Sequence, residues 1–151
     1  MTPQQITLVQ ESFRYMLPKR DEAGAIFYRR FFAIDPELRQ LFSHAEMTDQ
    51  GHKLMVALAF VVNGLARPQT IAAAAQALAR RHVGYGVREL HYASVGQALV
   101  ETLEQGLGSA FDERVREAWL AAYAFLSGIM IAAALETAVT SQAPALSPGR
   151  S

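Results

Sequence analysis

The run Ile71-Ala72-Ala73-Ala74-Ala75-Gln76-Ala77-Leu78-Ala79-Arg80-Arg81-His82 decides the reading of this chain, because it is an uninterrupted helical stretch that ends in an imidazole. Pro68 stands where such a helix can begin, and Gly84 and Gly86 loosen its end. A histidine so placed can be an ordinary packed core residue, so its partners elsewhere in the chain have to decide its role. Three upstream pieces bear on it. Phe27-Tyr28 lies in one helical segment, Leu41-Phe42 falls at a corner, and Gln50-Gly51-His52-Lys53-Leu54 opens another helix.

Outward from that run, seven segments read as helix and none as strand, which makes the chain all-α. Thr2 can cap the first helix, with Pro3 at its first position. Ile6, Val9, Phe13 and Met16 keep the helical apolar spacing, and Pro18 then breaks the chain. The second helix runs from about Asp21 to Ile34, with Gly24, Phe27, Tyr28 and Phe31 on one face. Asp35-Pro36 caps and begins a short third helix ending near Phe42, and residues 43–47 form a loop. Thr48 or Asp49 caps the next helix, which reaches about Leu65 and marks one side with Leu54, Leu58, Val61 and Leu65. After the helix carrying His82, a long helix spans Glu89 to Leu107, with Val95, Leu99 and Leu103 on one side and Gly106 and Gly108 at its exit. Asp112 caps the last helix, which runs to about Val139. From residue 140 the sequence is rich in Ser, Ala, Pro and Gly and reads as a disordered C-terminal tail over 140–151. Residues 1–139 then form one domain, without internal repeat.

Composition narrows the function classes. About half of the 151 residues are apolar, enough for a sizeable core. Fourteen basic and 14 acidic residues cancel, which argues against a nucleic-acid partner or a polybasic membrane surface. The absence of cysteine excludes disulfides, thiolate metal sites and cysteine nucleophiles. It is compatible with a reducing cytosol, and the N-terminus lacks the pattern of a signal peptide, so a cytoplasmic location is expected. Residues 118–135 are uncharged and reach the lower edge of transmembrane length. Their flanks, Arg116-Glu117 and Glu136, carry no basic bias. They read as the buried last helix of a core rather than a membrane span.

Common catalytic patterns are missing. His44, His52, His82 and His91 show no pair at the spacing of a helical zinc site, and there is no HExxH, G-x-S-x-G, phosphate loop or dinucleotide glycine fingerprint. His44 and His91 read as solvated surface residues. What remains is an imidazole, a phenol, an amide and an aromatic ring spread over four helical segments. That set suggests a planar iron cofactor held between helices, with His82 as an axial ligand and Tyr28 and Gln50 watching the other face.

The same pieces, in this order, resemble the globin family over about Gln5 to Leu135. The stretches Phe27-Tyr28…Phe31-Phe32, Pro36-Glu37-Leu38…Leu41-Phe42, His82…Gly86-Val87, His91-Tyr92…Val95-Gly96 and Ala118-Trp119…Tyr123 carry the likeness. It is closest to bacterial single-domain globins and to the haem domain of flavohaemoglobins. The resemblance implies a globin fold around one b-type haem (iron protoporphyrin IX), and the chain has no CxxCH for covalent attachment. It makes His82 the proximal ligand, with the Leu78 carbonyl one turn back as acceptor for its other ring nitrogen. It sets Phe42 against the porphyrin and Leu54 over the distal position. Leu58, Val87, Tyr92 and Val95 would line the pocket, with core packing as their competing reading. Lys53 and Arg81 would meet the propionates or remain solvated. Gly24 and Gly51 would mark a close helix crossing.

The resemblance also implies dioxygen and other diatomic ligands as partners. Tyr28 and Gln50 would donate to a bound ligand carrying partial negative charge. His52, two residues beyond Gln50, should point away from that site, though ligation by His52, or by Tyr28 in the ferric state, stays open. One departure is visible. The glutamate that flavohaemoglobin-like globins place on the last helix aligns with Ala134, and Glu136 lies two residues later on another face. Whether the chain is an enzyme is left open. Reversible oxygen binding is one reading, nitric oxide dioxygenase activity with an external reductase is a second, and a haem-based gas sensor is a third.

Overall fold

The computed structural model describes residues 1–84 and 87–146, with side-chain burial defined for 1–83 and 87–136. Among the described residues there are six α-helices and no strand: α1 Pro3–Met16, α2 Arg20–Ile34, α3 Met47–Gly64, α4 Pro68–Gly84, α5 Glu89–Leu107 and α6 Glu113–Leu146. Short 3₁₀ segments at Leu17–Lys19, Pro36–Phe42 and Gly108–Ala110 turn the chain between them. The principal packings set α4 and α1 against α6, and α2 against both α3 and α5.

Local chemistry explains most of the boundaries. At α1 the Thr2 hydroxyl accepts from the Gln5 N–H at 3.1 Å and the Gln5 side chain accepts from the Thr2 N–H at 3.0 Å, a reciprocal capping box ahead of Pro3. Asp112 caps α6 through its carboxylate, which accepts from the Val115 N–H at 3.0 Å. Gly108 supplies the positive φ (57°) that ends α5, a conformation other residues rarely adopt.

Several sequence expectations need correction. The short third segment is 3₁₀, not α, and Asp35 begins it through its backbone: its carbonyl accepts from Leu38 at 3.0 Å while its side chain makes no cap bond. Neither Thr48 nor Asp49 caps α3. Glu46 does so, its carboxylate accepting from the N–H groups of Thr48 (3.2 Å) and Asp49 (2.7 Å), which also lowers the Glu46 pKa. The last helix continues past Val139 to Leu146, over the first residues read as tail; residues 147–151 lie outside the described residues, as does Gly86.

Where α2 crosses α3, the backbones nearly touch. A Cβ on Gly24 would lie 3.0 Å from the Gly51 Cα, and one on Gly51 would lie 3.5 Å from the Gly24 Cα. The two glycines therefore set the depth of the crossing and compensate their cost within a helix. By length and composition α6 could cross a bilayer. In this fold it instead lies against α1 and α4, with Ala118, Trp119, Ala122, Met130 and Ala133 buried.

Candidate functional site

Tyr28 stands one helical turn after Gly24 on α2, so the glycine crossing brings it close to the start of α3. Its ring is enclosed by aromatic neighbours: Phe27 edge-on at 5.0 Å, Phe42 edge-on at 5.5 Å, and Phe31 and Phe32 at 6.2 and 6.0 Å between centroids. This clustering follows from sequence, because positions 27, 28, 31 and 32 wrap adjacent faces of one helix and Phe42 closes the 3₁₀ segment against them. Burial pushes the Tyr28 pKa up to about 12, so the phenol is a neutral donor at ordinary pH. Among the described residues its hydroxyl has no protein hydrogen bond.

Gln50 is half-buried in the first turn of α3, next to Gly51, and no hydrogen bond joins its amide to the phenol. Beyond it α3 carries two apolar faces. Met55 and Val62 are fully buried, whereas Leu54, Leu58 and Val61 pack on the core yet stay half-buried. The sequence reading marked one side of this helix with Leu54, Leu58, Val61 and Leu65; of these only Leu65 is fully enclosed, and Met55 and Val62 are the other buried side chains. Lys53 is exposed. His52 is also exposed and pairs with Asp21 at 3.0 Å, consistent with the expectation that it points away.

His82 lies in the last turn of α4 and is half-buried. Burial lowers its pKa; the Leu78 carbonyl one turn back acts as a backbone hydrogen-bond acceptor and opposes that shift, and the Arg81 charge adds to it. The imidazole is therefore biased to its neutral form, the form that can ligate a metal. Arg81 is exposed. Leu78, on the same side of α4 as His82, is half-buried, while Ile71, Ala75 and Ala79 form a separate, sealed stripe. Val87 is tied to the helix end, its N–H donating to the His82 carbonyl at 3.0 Å.

On α5, Val95 is half-buried and Tyr92 is buried, and burial raises the Tyr92 pKa. His91 is not simply solvated as expected: it is half-buried, and its Nδ1 accepts from the Arg88 N–H at 2.9 Å, closing the first turn of α5. The sequence reading also gave no separate role to Tyr123 of α6. Its hydroxyl donates to the Tyr92 carbonyl at 2.6 Å, and its ring lies where a Cβ on Gly96 would come within 2.8 Å. A glycine inside α5 and a lone tyrosine inside an apolar helix were the available signals for that contact. Ala134 is half-buried and Glu136 is exposed.

The residues fit the planar apolar group implied by the sequence. A neutral imidazole ends α4, half-buried apolar side chains come from the 3₁₀ corner, α3, α4, α5 and the turn before it, and a protonated phenol stands on α2. Lys53 and Arg81 are exposed cations.

Comparison with known proteins agrees with this architecture. The globin family model matches residues 25–130, and the chain belongs to the globin family. It is 36% identical over 107 residues to a flavohemoprotein of Bordetella pertussis, covering 70% of this chain and 27% of that protein. It is 30% identical over 137 residues to a flavohemoprotein of Vibrio cholerae, covering 87% and 34%. The chain thus spans about a quarter to a third of the length of these curated relatives. Among solved structures, an engineered carbene transferase made from a candidate nitric oxide dioxygenase of Rhodothermus marinus superposes with a TM-score of 0.84 at 26% identity, covering 94% of this chain and 99% of that one. A bacterial globin from Campylobacter jejuni, at 23% identity, shares the fold with a TM-score of 0.79 over 89% and 97% of the two chains.

Proposed function

We propose that this chain binds haem b and reversibly binds dioxygen at ferrous iron, with His82 as proximal ligand and Tyr28 and Gln50 as distal hydrogen-bond donors. The observation that carries the reading is His82: a neutral, half-buried imidazole at a helix end, among half-buried apolar side chains, in a globin fold. Haem held by His82 would supply an iron able to bind a diatomic ligand. The protein does the rest. Leu78 offers the carbonyl that orients the His82 ring. Phe42, Leu54, Leu58, Val87, Tyr92 and Val95 hold the macrocycle and exclude water, which strengthens any polar contact inside. Tyr28 and Gln50 present an O–H and an N–H to the outer atom of the ligand. Tyr123 anchors the Tyr92 backbone, and Lys53 and Arg81 face the propionates.

Nitric oxide dioxygenase activity with an external reductase is the second reading, favoured by the likeness to the Rhodothermus marinus protein and to flavohemoproteins. The distal donors serve both readings. Nitrate formation from nitric oxide with an added reductase separates them.

The distal donors are tested by stopped-flow oxygen release. Each hydrogen bond to a partly charged ligand is worth roughly 1–3 kcal/mol. Tyr28→Phe combined with Gln50→Leu should therefore speed release on the order of 100-fold. An unchanged rate would remove both residues from the distal site.

A further inference from the structure

A cavity of about 510 Å³ opens between α2, the 3₁₀ corner and the start of α3. Its size falls within the range of small-molecule sites. It exists because the residues along its α2 and α3 walls are small: Gly24, Ala25, Ala33 and Gly51. Its apolar surface comes from Tyr28, Phe32 and Met47, with the Tyr28 and Phe32 rings 6.0 Å apart and tilted by 38°. Two cations reach it from different elements, Arg29 on α2 and Arg39 on the corner. Neither makes a salt bridge among the described residues. The Arg39 guanidinium is held 4.8 Å above the Phe32 ring, a pre-set position for a planar, forked donor.

The other charges in the groove are already committed. Asp21 is engaged by His52 at 3.0 Å. The first N–H groups of α3, which would otherwise attract an anion, are taken by the Glu46 carboxylate. The arginines are thus the charged donors left for a ligand, beside the Tyr28 phenol and the Phe32 ring.

We propose that this groove is a binding site for a small aromatic carboxylate, its ring packed on Phe32 and Tyr28 and its carboxylate held by Arg29 and Arg39. Fork-to-carboxylate pairing gives orientation as well as affinity, and the aromatic wall rejects hydrated inorganic anions. The site shares Tyr28 with the proposed haem site but rests on no haem chemistry.

The test is calorimetric titration of the purified protein with 2-naphthoate, and with neutral 2-naphthamide as comparator. Saturating carbon monoxide in the haem-loaded form keeps the probe from the iron. The expected result is saturable one-to-one binding of 2-naphthoate and much weaker binding of the amide. Arg29→Gln and Arg39→Gln should each weaken it about tenfold, as loss of a charge-assisted contact does. Arg30→Gln, which removes the exposed cation facing Glu101, should leave it unchanged. Ala25→Leu, at an exposed helix position, should fill the groove and abolish it without unfolding α2. Absence of saturable binding, equal affinity for the amide, or binding indifferent to Arg29, Arg39 and Ala25 would each overturn the assignment.

Discussion

Two regions of this core are built to different standards. Around Trp119, α1, α5 and α6 seal against one another. Phe13 and Trp119 lie 6.3 Å apart, and Met16, Leu99 and Leu103 are nearly fully enclosed. The void beside them measures only about 20 Å³. Even the indole is satisfied: its N–H donates to the Ser12 hydroxyl at 2.8 Å, which in turn donates to the Leu8 carbonyl at 2.7 Å. Around His82 the picture differs. Leu78 and Val87, on either side of His82 in the chain, and Phe42 and Val95 are packed on the core yet stay half-buried, while burial raises the Tyr28 pKa and lowers that of His82. The first region finishes its contacts within the protein, and so serves stability. The second leaves apolar side chains half-covered, a cover that the proposed haem would complete.

The sharpest way to break this contrast is a pair of substitutions. His82→Ala should abolish stable haem binding while leaving the helical content of the haem-free protein intact. Trp119→Ala should do the opposite, lowering the stability of the haem-free protein by about 3–5 kcal/mol, as deletion of a sealed aromatic does. Haem titration followed by absorbance, together with urea unfolding, reads both. Normal haem retention in His82→Ala would remove the proximal assignment. A Trp119 variant of undiminished stability would remove the claim that this region carries the fold.

The same contrast runs along a single helix. On α3, Val62 is 2% exposed, whereas Leu58 is only half-buried. In the haem-free protein Val62→Ala should cost about 2 kcal/mol and Leu58→Ala less than about 1 kcal/mol, although leucine is the larger side chain. With haem present the order should narrow or reverse, because Leu58 then has a partner to lose. Equal costs in the haem-free protein would mean that the two faces of α3 are not distinct.

Sequence reading reached the sealed region and the site unequally. The Thr2 and Asp112 caps were legible because each is a local residue choice with a single physical purpose, whereas the Gly24–Gly51 crossing was legible only through the family resemblance. His82 and Tyr28 stood out in the sequence only in combination, since either alone reads as core. The side of α3 that the protein itself covers was not legible, for a physical reason. Apolar side chains occupy both faces of that helix, and periodicity cannot say which one the protein itself covers. Glu46 was missed because glutamate is an uncommon cap; its two bonds to Thr48 and Asp49 need the backbone geometry to be seen. Tyr123 escaped because its contact to the Tyr92 carbonyl joins residues far apart in sequence.

The smallest expected effect probes Tyr28, where the two regions meet. Its pKa is raised from 10.0 to about 12 by burial. Below pH 10 the phenol is neutral whether the chain is folded or not, and its burial is not penalised. As the pH rises above 10 the unfolded chain ionises and the folded chain resists, so stability falls until the folded group also ionises near 12. At pH 11 the loss from this one residue is about 1 kcal/mol. Tyr123, whose pKa is raised by burial and by its neighbour Tyr92, adds to the same alkaline loss. Urea unfolding of the wild type between pH 8 and 11 should therefore show a falling midpoint, and Tyr28→Phe should make that fall shallower by the Tyr28 share while leaving the Tyr123 share in place. If the two pH profiles run parallel, Tyr28 is not enclosed as a neutral phenol, and its standing as a protonated donor goes with it.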